Sequence, residues 1–453
     1  MNSSPPGTTR QRSPWWVIFG SGLANAVGPN TMFLATLGLF VVPIVEETGF
    51  SRTTVTGAYS VAAVGMVIGL FVVGRLVDRF AVRHILVPSF VLFSASLALV
   101  GATPPIEIVY FIPCFFVGFF GAGTAVPATR AVVTWFDNSR ALAIGVVTAI
   151  IGLGAALAPL LVGVLIEDFG WRSAYGIMSL VSVTVSVAAV LLFVRARAEK
   201  HVRGRLVHET RVGDRDVSLE LPGLTFGEAV RTRRFWFIAL GLGMVGTAII
   251  GLQVHLVPMM GDRGLGADQA GMLLVVFGLA SLVGRLIGGV IIDRVRGTVV
   301  GPIVILLPIV GLLFLQPPFP TAVAAVALIG VAFGIEGDLL AILISRYLGT
   351  RHFVRFLAAV QAAFLLGTAF GPLLLGVAYD ELGSYDPVIP VLMGVLVVGA
   401  VLIGSLGRYA YPPLAGFDRL AARDEMAASE VLSGVAEGEG QGPARRESLG
   451  TGG

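Results

Sequence analysis

Apolar residues fall along this chain in long unbroken blocks set apart by short polar stretches. A membrane-spanning helix needs about 20 mostly apolar residues. That length recurs twelve times, over 16–44, 54–74, 84–103, 106–131, 141–166, 173–194, 235–260, 270–292, 298–316, 319–345, 354–379 and 387–407. Transmembrane strands would be about ten residues long and would alternate apolar with polar positions, a period these blocks lack. The pattern therefore predicts an all-α membrane protein of twelve transmembrane helices, numbered here as spans 1 to 12. The first block opens on Trp15 and Trp16 and no small-residue cleavage site closes it, so it reads as a span with an interfacial aromatic anchor and not as a cleaved signal.

Composition agrees. Of 453 residues, 55% are apolar or aromatic and 13% are charged, against about 25% charged in soluble domains, and the mean hydropathy is +0.88. A water-soluble globule is excluded. The single cysteine, Cys114, rules out an internal disulfide. The net charge of +3 does not point to nucleic acid, because the basic residues are parcelled out between apolar blocks.

Their distribution sets sidedness. Loops after spans 2, 4, 6, 8 and 10 hold nineteen Lys and Arg, ten of them between 195 and 234, whereas loops after the odd spans hold only Arg52, Arg172 and Arg263 among many acids. Positive residues stay in the cytoplasm, so both termini are expected there, in a multi-pass protein of the cell membrane. The expected organisation is a cytoplasmic tail over 1–14, a six-helix bundle over 15–194, a cytoplasmic loop over 195–234, a second six-helix bundle over 235–408 and a disordered tail over 409–453.

The two halves echo each other. Gly74, Asp78 and Arg79 after span 2 recur as Gly289, Asp293 and Arg294 after span 8, each 215 positions later. Gly154, Pro159, Gly163 and Glu167 in and after span 5 recur as Gly367, Pro372, Gly376 and Asp380 in and after span 11, each 213 positions later. A duplicated six-span unit accounts for both sets. Glycines let helix backbones approach where lipid gives no hydrophobic drive to associate, and prolines bend spans that line a cavity. Asp78 and Asp293 are placed to cap a neighbouring helix while Arg79 and Arg294 pair locally, which makes all four candidate gate residues. A tight charged turn that only fixes sidedness is the competing reading of either copy alone.

On these residues the chain resembles the major facilitator superfamily over 15–408. Glu46 to Thr53, Trp135 to Gly145, Phe169 to Arg172 and Gly284-Arg285-Leu-Ile-Gly288-Gly289 resemble its monocarboxylate transporter and oxalate/formate antiporter branch. The resemblance implies carriage of a small organic anion, often with a proton, by alternating access, with the span 8 arginine, here Arg285, as substrate anchor. The chain departs from its relatives in three places. Ser281 stands where animal monocarboxylate transporters have aspartate, span 1 has no lysine, and the second cation of the oxalate transporter in span 11 is missing.

Four ionisable residues interrupt the apolar blocks: Arg130, Arg285, Glu336 and Asp338. Each costs roughly 2.5 to 3.5 kcal/mol at a helix centre on insertion scales, so each needs a partner, water or a function. Arg285 suits a carboxylate, because guanidinium binds it bidentately and stays protonated when buried. A salt bridge from Arg285 to Glu336 or Asp338 is the structural alternative, and the two are compatible if substrate displaces the internal partner. One central cation favours a monoanion over a dianion. Glu336, or Asp338 in its place, is the candidate proton carrier, since a desolvated carboxyl favours its neutral form. Arg130 lies five residues before Trp135, close enough to its helix end to join a gate. Asn30 and Asn25, with Thr31, are candidate substrate donors in span 1. His255 near the end of span 7 reads first as a hydrogen-bonded structural histidine.

Other chemistries fail. Gly241-Leu-Gly243-Met-Val-Gly246 matches a dinucleotide fingerprint but follows no strand. No Walker lysine exists for ATP drive, the histidines show no metal spacing, and no nucleophile stands beside a base. No cofactor, no metal and no enzymatic activity are expected. The expected partners are a small organic anion, a proton and the lipid bilayer, with the monomer as the working unit. An efflux carrier of larger amphipathic compounds and a non-transporting receptor on the same scaffold are the competing functions.

Overall fold

The structure, a computed structural model, describes residues 13–411 except 78, 134, 137–139, 195–208, 213–214, 219–222, 293–296 and 350. Continuous apolar sequence leaves the backbone no solvent partner in lipid, so helices that satisfy their own N–H and C=O groups are the stable solution. Nine helical stretches are long and apolar enough to cross a membrane among the described residues, and a bent pair makes a tenth. One of the nine holds two of the expected spans, and the shorter apolar helix Gly297–Phe314 supplies span 9. Together these account for the twelve expected spans.

Span 1 is broken where its sequence predicts a single run. Trp15–Ala26 is followed by Gly28 and Pro29, then by a π-turn over Asn30–Leu34, then by Leu37–Thr48, and the two parts are bent by 44°. Proline has no N–H to continue the ladder, and Ala35 N–H instead reaches back to Asn30 C=O at 3.0 Å. Spans 2, 3 and 4 are Arg52–Val77, Val82–Gly101 and Glu107–Val133. Spans 5 and 6 run together as Arg140–Phe193, divided at Gly170, whose φ of 74° and ψ of 161° are non-helical. Spans 7, 8, 10, 11 and 12 are Arg233–Asp262, Ala267–Ile292, Phe319–Tyr347, Phe353–Leu382 and Ile389–Gly404.

Between spans 6 and 7 the structure adds an antiparallel hairpin, β1 (Glu209–Val212) with β2 (Arg215–Ser218), Glu209 opposite Ser218. It departs from the loop expected there. Its strands flank Gly213 and Asp214, residue types that favour hairpin turns. The short helix Phe226–Val230 that follows begins on a capping box between Thr225 and Glu228. The N–H of Thr225 donates to the Glu228 carboxylate and holds its pKa below the usual value.

Neighbour relations repeat in the two halves. Spans 1 and 5, 2 and 4, 3 and 4, and 3 and 6 pack together, and so do 7 and 11, 8 and 10, 9 and 10, and 9 and 12. The landmark glycines sit at equivalent seams: Gly154 lies against Ala26 of span 1, and Gly367 against Gly243 of span 7. Large apolar side chains such as Leu161, Leu180 and Phe370 are exposed on the outside of the bundle, as a lipid-facing surface requires.

The cores tie the halves unequally. One buried cluster, around Leu242, Leu273, Ile329, Leu343 and Leu396, belongs to the second half. A second, around Val17, Leu86 and Val190, belongs to the first. A third, around Phe40 and Tyr175, whose rings stack at 4.0 Å, also takes in Ile250, Val254 and Ala369 of the second half. The halves are therefore joined by a continuous apolar core toward the end of the bundle that holds Thr48, Arg52 and Asp262.

Candidate functional site

A cavity opens between the halves. Span 8 gives it Leu274, Phe277, Gly278, Ser281, Leu282 and Arg285, whose three- and four-residue steps put them on one helix face. Span 5 gives Thr148, Ile151, Gly152 and Ala155 by the same periodicity, the bent span 1 gives Asn30, Leu34 and Ala35, and Gln253 and Phe333 come from spans 7 and 10. The break in span 1 is what brings Asn30 into the wall. The cavity measures about 140 Å³, close to the roughly 150 Å³ that accommodates benzene in an engineered protein core.

Among the described residues Arg285 is the one charged residue in this lining. It is an exposed residue and makes no hydrogen bond or ion pair with any described residue, so the internal salt bridge to Glu336 is absent. Arg285 is held in place through its backbone. Spans 8 and 10 approach so closely that a Cβ on Gly334 would meet the carbonyl of Ser281 and stand 2.8 Å from the amide nitrogen of Arg285. Gly284 in turn lies against Val331.

Around that cation the remaining polar groups are neutral: Asn30, Thr148, Gln253 and Ser281. Gln253 is 8% exposed and its Oε1 has no hydrogen-bond partner. Neither Gln253 nor Thr148 was singled out by the sequence, because amides and hydroxyls in membrane helices serve helix contacts as often as ligands.

The other expected residues take varied positions. Glu336 is 4% exposed, stands one helical turn beyond the cavity residue Phe333 and is not itself in the lining; its Oε2 has no hydrogen-bond partner. Asp338 falls on the same helix, and its side chain lies outside the described residues. Asn25 stands away from the lining, its amide donating to the carbonyls of Ser21 at 3.0 Å and Thr124 at 3.5 Å. Thr31 is buried with its hydroxyl unpartnered. Arg130 is half-buried and donates to the carbonyl of Val77, tying span 4 to the end of span 2 within one half. Arg79 is exposed in the turn after span 2, while Asp78, Asp293 and Arg294 lie outside the described residues.

At the other end a polar cluster crosses between the halves. Arg52, first residue of span 2, donates from Nη1 and Nη2 to the carboxylate of Asp262, last residue of span 7, at 2.6 and 2.9 Å. Nη1 also donates to Tyr385 Oη at 3.0 Å, and the Tyr379 ring centre lies 3.7 Å from the guanidinium carbon. Asp380 accepts the backbone N–H groups of Arg52 and Thr53 at 3.1 and 2.9 Å, capping span 2 from span 11. Burial pushes the Tyr385 phenol above its usual pKa. Deeper in, Tyr59 Oη lies 3.2 Å from Thr368 Oγ1, and Ser60 donates to the carbonyl of Ala369. His255 is buried, with one ring nitrogen 2.9 Å from Tyr385 Oη and the other 2.9 Å from the carbonyl of Pro372. The arrangement is a cavity with one cation in its described lining, and a latch of an ion pair and hydrogen bonds that joins the two halves at one end.

Comparison with known proteins places this architecture. The family model described as Major Facilitator Superfamily matches residues 22–352 and 236–433. Among curated proteins the chain is similar to Monocarboxylate transporter 13 of Bos taurus, 24% identical over 400 residues covering 87% of this chain and 89% of that protein. It is similar to Monocarboxylate transporter 11 of Homo sapiens, 27% identical over 391 residues covering 82% and 78%. The probable sulfoacetate transporter SauU of Cupriavidus necator is 24% identical over 404 residues, covering 82% and 88%. Among solved structures, a bacterial homologue of the human lysosomal transporter Spinster, in an inward-facing and occupied conformation, superposes with a TM-score of 0.63 at 16% identity, covering 94% of this chain and 98% of that one.

Proposed function

The chain belongs to the major facilitator superfamily, and we propose that it carries a small organic monoanion, a monocarboxylate, across the cell membrane by alternating access coupled to a proton or to exchange. The observation that carries this reading is Arg285: one cation, without an ion-pair partner among the described residues, in the wall of a cavity between two repeated halves. A guanidinium in a cavity wall is matched by a carboxylate, which it binds through two parallel N–H···O bonds. A single fixed charge balances one negative charge and leaves a dianion half-compensated. The cavity volume of about 140 Å³ suits an anion of roughly benzene's size and speaks against large amphipathic cargo.

In this reading Asn30 and Ser281 orient the bound anion beside Arg285. Asn25 supports the wall by holding span 1 to span 4. Glu336 is the proton carrier: its buried carboxyl has an oxygen with no partner, and such a group gains by holding a proton while the anion is bound. Asp338, two residues further along the same helix, is the second choice. The Arg52 cluster closes one end of the path. Asp78, Arg79, Asp293, Arg294 and Arg130 close the other, the positively charged end that faces the cytoplasm with both termini. Curated relatives named as monocarboxylate transporters support the cargo class.

The test is radiolabelled uptake of a panel of short monocarboxylates into proteoliposomes, with and without an acid gradient. The reading requires at least one to accumulate in a manner dependent on Arg285. Flux confined to larger neutral or cationic compounds would replace it.

A further inference from the structure

His255 stands two residues beyond the cavity residue Gln253 on span 7 and is fully buried behind the latch. Its hydrogen bonds fix their own directions. The carbonyl of Pro372 on span 11 only accepts, so His255 Nε2 carries a proton and donates to it at 2.9 Å. Tyr385 Oη accepts from Arg52 Nη1 at 3.0 Å, and its own O–H therefore turns to His255 Nδ1, 2.9 Å away, which accepts. The bonds run in one sense from Arg52 through Tyr385 and His255 to Pro372, linking the first half of the chain to spans 7 and 11. Every donor in that relay has its acceptor only while the imidazole is neutral.

We propose that His255 is a proton-sensitive positioning residue that decides whether the Arg52 latch holds: with Nδ1 bare the latch closes, and with Nδ1 protonated it opens. A proton on Nδ1 aims a second N–H at Tyr385 Oη and leaves the Tyr385 hydroxyl proton without its acceptor. It also places a second cation behind the Arg52 guanidinium. Among the described residues the nearest carboxylates are already engaged. Asp262 on the same helix is taken by Arg52, and Asp380 on span 11 by the N–H groups of Arg52 and Thr53. Tyr379 on span 11 lies under the guanidinium, and Tyr59 on span 2 pairs with Thr368. On the span 1 side Glu47 is held by Arg172 and Trp171, with Glu46 exposed, and Asp268 of span 8 is exposed.

The inference rests on the alternating-access reading, in which this end opens and closes. A proton reaches His255 only while the end is open, and the end closes once that proton has returned to water or passed to the carboxylate of a bound anion. Closing with the proton still on Nδ1 is thereby prevented.

The experiment uses the full chain in lipid nanodiscs with spin labels at Ile106→Cys and Gln269→Cys. Both sites are exposed at the latch end in opposite halves, and native Cys114 is buried. Distances are measured between about pH 7.5 and pH 5.5, the range in which histidine titrates. Acidification is expected to populate a longer distance, the open-to-closed ratio rising by up to about tenfold per pH unit, the limit for one proton. His255→Gln, which keeps an acceptor and a donor, is expected to remain closed and indifferent to pH. Tyr385→Phe, which keeps the ring packing but breaks the relay, is expected to lose the pH response and shift toward open. Equal pH responses in wild type and His255→Gln would overturn the inference, as would two distances whose ratio ignores pH in the wild type. A single distance under every condition, including the latch variant Asp262→Asn, would overturn the alternating-access reading itself and the inference with it.

Discussion

The two terminal nitrogens of Arg52 grip both carboxylate oxygens of Asp262, at 2.6 and 2.9 Å, and so join the first residue of span 2 to the last residue of span 7. Three arginines stand in the acidic loops at this end, and each forms an ion pair: Arg52 with Asp262, Arg172 with Glu47 and Arg263 with Asp386. Only the first crosses between the halves. The other two brace loops within a half. In the alternating-access reading proposed above, this pair has to break for this end to open, so loss of Arg52 is expected to be felt in conformation before stability.

Asp262→Asn is expected to weaken the latch without unfolding the protein. The Asp262 side chain is 35% exposed, so solvent screening reduces a charge-assisted pair to about 1 kcal/mol, a several-fold shift toward the open form. The check is labelling of a cysteine placed at Ser281 by a membrane-impermeant maleimide added on the latch side, whose rate should rise several-fold. An unchanged rate would mean that the apolar core beneath, not the pair, holds this end.

Glu336→Gln removes the titrating proton while preserving volume and one hydrogen-bonding oxygen. Accumulation of the anion driven by an acid gradient should be lost while the pH response of the latch end through His255 persists, and binding of the anion, measured by calorimetry, should stay within about threefold of wild type, a difference of about 0.7 kcal/mol. Retained gradient-driven accumulation would move the carried proton to another group, Asp338 first.

Gly334→Val tests how Arg285 is positioned. Even a Cβ at this seam meets the backbone of Ser281 and of Arg285, and overpacking of this kind costs about 1 to 3 kcal/mol. The melting temperature in detergent should fall, and anion affinity should fall with it as span 8 is displaced. A variant that melts lower but binds normally would detach the seam from the site.

Much of this architecture is legible in the chain itself. Twelve apolar blocks, the duplicated glycine and proline landmarks and the isolated Arg285 are local signals, since each is a departure from what lipid tolerates at that position. The break in span 1 was not legible in the chain: Pro29 stands at it, yet whether and how far the helix turns depends on what packs against it. The latch was not legible. Arg52 and Asp262 look like ordinary loop charges, and their partnership across 210 positions is set by how the halves meet. Gln253 and Thr148 gave no signal because an uncharged polar group in a helix is cheap enough to need no functional reason. Glu336 stood out as a buried charge, but its seat one turn beyond the lining follows from the rotation of span 10 against span 8, which spacing alone does not fix.

The most direct measurement is anion uptake by Arg285→Gln in proteoliposomes, run beside wild type with the same acid gradient and with nanodisc samples confirming that both conformations remain accessible. Removing the one charge in the described cavity wall is predicted to reduce monocarboxylate flux at least a hundredfold, the equivalent of about 2.7 kcal/mol, and to abolish measurable binding. Wild-type flux and affinity in that variant would contradict the assignment of an anionic cargo.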